Sequence, residues 1–188
     1  MGTGAAILRS ERLELTPIAE GDREPLLALL RLEPVRHYLL DGNLMGPEWI
    51  ASVVLDSRHD FARRGLGLWA ARRPGDPSLV GLVGFRDFYD PPVEELLFAL
   101  HPDAWGQGLA TEMARGVIAH AFASAGRERV RASSDLPNRA SLAVLLRLGM
   151  REIGREPAPP GFKWEQIHYA IERDAWEQGS GSGARTCA

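Results

Sequence analysis

Cysteine, lysine and long apolar runs are what this chain has least of. Of its 188 residues one is a cysteine, Cys187, so neither a disulfide framework nor a cysteine-based metal site can form. Lys163 is the single lysine among 22 basic residues, and the net charge is −3. A chain so balanced lacks the cationic footprint that nucleic-acid binding requires. No apolar run is long enough to span a bilayer, and the first residues carry no basic-then-apolar leader. The absences lead to an expected cytoplasmic protein with no nucleic-acid partner, no membrane partner and no metal. The length suits one domain with a sizeable core.

Turn signals and periodicity divide the rest. Residues 9–16 contain a strand, with Leu13 and Leu15 on one face and Arg12, Glu14 and Thr16 on the other. Asp22 is placed to cap a helix whose apolar face is Leu26, Leu27, Leu29 and Leu30, and Pro34 is expected to end it. Pro47 sits where proline begins a helix well, and Trp49, Ile50, Val53, Val54 and Phe61 carry that helix to about Arg64. Strands at 65–73, 79–88 and 95–100, separated by the turns Pro74-Gly75-Asp76-Pro77 and Asp90-Pro91-Pro92, predict an antiparallel meander. A helix at 108–125 stopped by Gly126, a strand at 130–134, a helix capped by Asn138 and stopped by Gly149, and strands near 150–155 and 163–173 complete the pattern. A proline-rich loop at 157–161 separates the last two strands. The prediction is one α/β (α+β) domain over residues 6–178, with about seven strands, mostly antiparallel, and about four helices. Residues 1–5 and the Gly-Ser tail 179–188 read as flexible.

The most informative stretch is Trp105-Gly106-Gln107-Gly108-Leu109-Ala110-Thr111-Glu112, which joins an apolar strand to a helix. The first N–H groups of a helix have no intrahelical partner, and the macrodipole makes that end partly positive, so this turn suits a phosphate. A nucleoside-triphosphate loop would need Gly-Lys-Ser/Thr, and no lysine is here. A dinucleotide turn fits better, but Thr111 stands where its third glycine or alanine belongs. Its acidic residue, Glu128, would also fall before the next strand rather than at its end.

Residues 100–112 resemble the pyrophosphate-binding motif of the GNAT N-acetyltransferases, most closely the subgroup that acetylates ribosomal-protein N-termini. The resemblance covers nearly the whole chain. Ser10-Glu11-Arg12-Leu13-Glu14-Leu15-Thr16-Pro17 is similar to the family's first strand, and Leu79-Val80-Gly81-Leu82-Val83-Gly84-Phe85 to its central hairpin. Asn138-Arg139-Ala140-Ser141 with Leu148-Gly149-Met150 resembles its later helix and following strand, and His168-Tyr169-Ala170-Ile171-Glu172-Arg173 its closing strand. The resemblance implies a twisted sheet whose fourth and fifth strands splay apart around acyl-CoA. It further implies acetyl transfer to a primary amine, on a protein N-terminus or a small molecule, directly within a ternary complex. Relatives are often dimers, so a homodimer is left open. A non-catalytic acyl-CoA-binding or sensing domain is the alternative.

The expected anchor for acetyl-CoA is Trp105, Gly106, Gln107, Gly108, Leu109, Ala110 and Thr111, mainly through backbone N–H groups. Trp105 stands where the subgroup often has tryptophan and is expected to pack against cofactor or core. Leu97, Phe98, Ala99 and Leu100 are to flank the cofactor. A backbone N–H among 97–99, exposed by a bulge, is to meet the thioester oxygen. Asn138 both caps its helix and, by the resemblance, touches the pantetheine arm. Alternation puts Glu95, Leu97 and Ala99 on one face of the strand and Leu96, Phe98 and Leu100 on the other, so only one of Glu94 and Glu95 can face the amine. Glu95 is the candidate base. Many relatives carry a tyrosine acid on the penultimate helix, but Leu145 fills that slot here, so Ser141 is the candidate acid. His37, Tyr38 and Asp41 are candidate substrate-binding residues, because this segment lines the acceptor pocket in relatives. Glu112 is read as structural.

Overall fold

The computed structural model describes residues 6–158 and 163–181. β1 (Leu8–Arg9) and β2 (Glu14–Pro17) form an antiparallel pair that buries Leu13 and Leu15 as the alternation requires. Two short helices follow, α1 (Arg23–Arg31) and α2 (Glu33–Leu39), and then α3 (Pro47–Arg64). The meander is β3 (Leu68–Arg72), β4 (Leu79–Phe88) and β5 (Val93–Leu100), and with the first two strands it makes a five-stranded antiparallel sheet in sequence order. α4 (Leu109–Ala123) crosses to β6 (Arg129–Asp135), and α5 (Arg139–Arg147) leads to β7 (Arg151–Glu156). β8 (Gln166–Glu172) then inserts between β6 and β7, giving a second sheet in the order β6-β8-β7. α6 (Arg173–Gly181) closes the described chain.

Period-two alternation in the central strands builds two cores, one on each face. Leu68, Ala70, Leu82 and Ala99 face α1, α2 and α3, where they meet Leu26, Leu30, Ile50 and Val53. Trp69, Ala71, Val83, Leu96 and Leu100 face the other way, against Met113, Val117 and Ile118 of α4 and Leu145 of α5. A glycine marks the tightest approach of the sheet: Gly84 has φ +149, and a Cβ there would stand 2.1 Å from the Gly67 carbonyl oxygen. β6 lies beside β5 but shares no ladder with it, so the sheet opens between them. This is the splay expected between the family's fourth and fifth strands.

Three local expectations need correcting. Pro34 does not end the first helix; the chain breaks at Leu32 (φ −59, ψ 126), and Pro34 occupies the first turn of α2, where its missing N–H is harmless. Asp22 stands at the start of α1 without capping it, because its carboxylate instead accepts the Ala19 N–H and pairs with Arg72. The terminal helix runs to Gly181, inside the stretch read as tail. Among the described residues there are eight strands and six α-helices where about seven and about four were expected, since β1 and β2 split one predicted strand and α2 and α6 were not foreseen. Residues 1–5, 159–162 and 182–188, which hold most of the predicted flexible ends and much of the proline-rich loop, lie outside the described residues.

Candidate active site

The opening between β5 and β6 is a cavity of about 690 Å³, walled by α2, β5, the turn at 105–111, β6 and the start of α5. One end is the glycine turn. His101 N donates to Val80 O and closes β5, and the Trp105 indole N–H caps the Leu100 carbonyl at 3.0 Å. Trp105 is otherwise half exposed on the cavity rim. Gly106 and Gly108 both adopt left-handed φ, +73 and +76, which only glycine does without strain. Gly108 caps α4, and Glu112 N to Gly108 O is the first bond of the helix. Helix geometry therefore leaves the Leu109, Ala110 and Thr111 N–H groups without intrahelical acceptors, beside the cavity they help to line.

The turn is held in place from behind. Glu112 accepts hydrogen bonds from Ser10 Oγ at 2.7 Å, Arg12 N at 3.0 Å and Arg12 Nε at 2.7 Å, while Arg12 Nη1 binds the Gln107 carbonyl at 2.9 Å. Burial opposes ionisation of Glu112, but those bonds outweigh it and hold its carboxyl below the usual range. This is the structural role expected of Glu112. The Gln107 side chain does not line the cavity; it binds Arg73 at 3.0 Å and the Asp103 carbonyl at 2.9 Å.

The β4–β5 register runs without a shift, so the bulge expected near 97–99 is absent. An unpaired N–H arises there in another way. The bond from His101 N to Val80 O fixes which residues of β5 turn toward β4, and Phe98 is on the other phase of the strand. Its N–H points at β6, which carries no ladder to receive it.

Glu95 lies in the other part of the cavity wall, only 3% exposed. Its Oε2 accepts from Ser133 Oγ at 2.5 Å, and its Oε1 stands 3.8 Å from His168 Nδ1; the other ring nitrogen of His168 binds Glu156 at 2.8 Å. Burial pushes the Glu95 carboxyl up, and the bond from Ser133 and the charges of His168 and Arg131 offset only part of that. Glu94 points to the opposite side and is taken up by Arg127 at 2.7 Å and Arg64 at 3.1 Å. The two side chains point to opposite sides, as alternation requires, and of the two only Glu95 lines the cavity.

Tyr38 and Asp41 line the cavity, and the Asp41 carboxylate accepts the Lys163 N–H at 3.0 Å. His37 does not line it. Its ring lies edge-on to Tyr38 at 4.7 Å and its Nδ1 faces Glu33 at 3.4 Å. Asn138 and Ser141 both line the cavity, and the Asn138 side chain caps α5 by accepting Ser141 N at 3.2 Å. Leu145, in the slot of the absent tyrosine, is fully buried.

Sequence reasoning missed five residues: Tyr89, Ser133, Asp135, Gln166 and His168. The Tyr89 hydroxyl lies 2.9 Å from Ser133 Oγ and 2.6 Å from Gln166 Oε1, and Gln166 Nε2 reaches Asp135 at 3.5 Å. Burial, with the charges of Glu95, Glu156 and Asp135, pushes the Tyr89 phenol up to about 12, against the bond to Ser133. Ser133 was within reach of alternation, since Val130 and Ala132 take the core face of β6 and leave Ser133 on the other. Tyr89, in a turn at φ +68, gave no such signal.

The cavity offers what an acyl-CoA needs. Thr111 Oγ1 and Ser134 Oγ are buried in its wall with no hydrogen-bond partner among the described residues, and buried hydroxyls are rarely left so. No side chain projects from Gly106 or Gly108 where a backbone-bound phosphate would approach.

Comparison with known proteins gives the family. Residues 12–151 match the family model of the acetyltransferase (GNAT) domain. The chain is 32% identical to the FsC-acetyl coenzyme A-N(2)-transacetylase of Aspergillus fumigatus, over 90% of this chain and 77% of that protein. It is 26% identical to the uncharacterised N-acetyltransferase YoaA of Bacillus subtilis, over 79% of this chain and 84% of that one. A solved structure of RimL, a ribosomal alpha-N-protein acetyltransferase in complex with coenzyme A, superposes with a TM-score of 0.76 at 19% identity, over 90% of this chain and 99% of that one, a likeness of fold. On these findings the chain belongs to the GNAT acetyltransferase family.

Proposed function

We propose that this protein transfers an acetyl group from acetyl-CoA to a primary amine, directly and within a ternary complex. The observation that carries the reading is Glu95: a buried carboxylate whose affinity for protons is raised, set in the wall of the same cavity that the glycine turn closes. A base of this kind can take a proton from an amine at neutral pH, because its pKa is drawn toward the working range. Acetyl-CoA would supply the acetyl group as a thioester: a nitrogen–carbon bond forms, the carbon–sulfur bond breaks, and coenzyme A leaves as the thiol.

The chain's own residues divide the work. The N–H groups of Leu109, Ala110 and Thr111, with the dipole of α4, hold the pyrophosphate. Phe98 N–H is the donor available to a thioester oxygen, and Leu97, Ala99 and Leu100 line the cavity beside it. Asn138 and Thr111 hold the pantetheine arm. Ser141 and Ser134 are the hydroxyls on hand for the departing sulfur. Glu95 takes the amine's proton, and Ser133 with His168 fixes its orientation. Among the described residues no cysteine lines the cavity, which favours direct transfer over a cysteine-borne acetyl group. The Aspergillus relative, whose name gives acetyl coenzyme A and a nitrogen acceptor, supports both co-substrate and acceptor class. The resemblance of the turn at Trp105 to Thr111 to that of the ribosomal-protein subgroup supports a protein N-terminus as one acceptor.

The test is release of coenzyme A thiol from acetyl-CoA across a panel of amines and N-terminal peptides, with Glu95→Gln as control. Amine-dependent release that falls sharply in the variant supports the reading. Binding of acetyl-CoA with no release from any amine would return weight to a sensing domain.

A further inference from the structure

Three carboxylates are buried among the described residues, and they differ in their partners. Asp22 pairs with Arg72 and accepts the Ala19 N–H. Glu95 accepts from Ser133 and faces His168. Asp135 is 7% exposed, lines the cavity, and has only a long contact of 3.5 Å from Gln166 Nε2; no cationic side chain among the described residues pairs with it. A buried carboxylate without a counter-charge is costly, and folds rarely keep one that no ligand uses. Burial and the charge of Asp41 push Asp135 up to about 6, with Gln166 and His37 acting against them, so it is still mainly ionised at neutral pH.

Its position fits a second recognition point rather than a second base. Asp135 lies two residues along β6 from Ser133, on the same face, and Ser133 is what holds Glu95. That spacing is roughly 6.6 Å of strand. Asp41 lines the cavity as well, from the loop after α2, and its bond to Lys163 N ties that loop to the segment before β8. Tyr38, Phe88 and Tyr89 supply aromatic walls for an aliphatic spacer or a cation. The one basic side chain in the lining among the described residues, Arg147, sits in the last turn of α5, roughly 12 Å along that helix from the end next to Asp135.

We propose that the acceptor is a short aliphatic diamine, acetylated at the nitrogen beside Glu95 while its second ammonium is held by Asp135 with help from Asp41. The inference rests on the transferase reading above for its chemistry, though not for its binding. The second nitrogen keeps its proton and charge throughout; only the nitrogen beside Glu95 gives one up.

Matched pairs test it: diaminopropane, diaminobutane and diaminopentane against propylamine, butylamine and pentylamine. Two readouts are taken on the full chain, kcat/KM for thiol release and calorimetric binding to the protein loaded with coenzyme A. In the wild type, at least one diamine is preferred over its monoamine by roughly tenfold or more, the ratio one charge-assisted contact gives. In Asp135→Asn the ratio falls toward one through KM, and in Asp41→Asn, at a more exposed position, it falls part of the way. Equal acetylation of diamines and monoamines would overturn the proposal and leave the transferase standing. An Asp135-dependent preference in binding with no thiol release would do the reverse. A ratio that survives Asp135→Asn, or no preference in either readout, sinks the proposal.

Discussion

Glu95 is the residue on which chemistry and stability pull in opposite directions. Only its ionised form can take a proton from an amine, so the acceptor kcat/KM should rise with pH through a midpoint above the usual carboxylate value. Glu95→Gln should remove that limb and lower kcat by roughly 10²–10⁴-fold, the usual worth of a positioned base. The stability effect has the other sign. A carboxyl whose pKa is higher folded than unfolded binds its proton more tightly in the folded state, so stability is lost as pH rises from the unfolded value to the folded one. Glu95→Gln should therefore melt higher than wild type at neutral pH, with the gain shrinking as pH falls through the raised folded value and gone below the ordinary carboxylate pKa. A melting series at several pH values decides this; a lower Tm at neutral pH would mean the ionised Glu95–Ser133 contact stabilises the fold after all. Asp135→Asn should behave alike, its window running from the ordinary aspartate value of 3.8 to about 6.

Elements carried what was legible in the sequence, and long-range pairings carried what was not. The meander, the helix started by Pro47, the cap by Asn138 and the turn at 105–111 were readable because each is written in contiguous residues: two turn clusters, one proline, one asparagine, two glycines. Glu95 was readable because alternation along one strand decides its face. The Tyr89–Ser133–Gln166 cluster was not, since it joins a turn to two strands far away in the chain, and neither was Phe98 N–H, which is free only because β6 fails to pair. Two substitutions test elements directly. Gly84→Ala would set a methyl against the Gly67 carbonyl and Leu68 Cα, backbone atoms with no side chain to give way, so we expect a loss of roughly 3 kcal/mol or more, read by denaturant unfolding or by failure to accumulate. Glu112→Ala releases Ser10 and Arg12 from α4 and should cost roughly 1–3 kcal/mol. Because Arg12 also grips the Gln107 carbonyl, the same variant should weaken coenzyme A binding several-fold. An unchanged Kd would show that the glycine turn keeps its shape without that clamp.

At the scale of the whole molecule, the open seam between the two sheets is the feature that binding should alter. β5 ends one sheet and β6 begins the other, and the cavity residues come from both sides of the seam as well as from α4 and α5. A coenzyme A seated there touches four elements at once, so it should stabilise the fold as a unit. At a concentration of about one hundred times Kd, linkage gives about 2.7 kcal/mol, or roughly 5–10 °C in Tm for a domain of this size. Desulfo-CoA should do nearly as well, since it keeps the pyrophosphate proposed to sit on the α4 N-terminus. Hydrogen exchange then locates the effect. Neighbouring amides of β5 differ in the free protein: Ala99 N–H lies in the ladder with β4, whereas Phe98 N–H faces the seam. Phe98 should exchange much faster than Ala99 without ligand and slow markedly with coenzyme A, and the amides of Leu109, Ala110 and Thr111 should slow with it. If Tm rises and only the α4 amides are protected, the ligand is held by its phosphates alone. Phe98 would then lose its role beside the thioester.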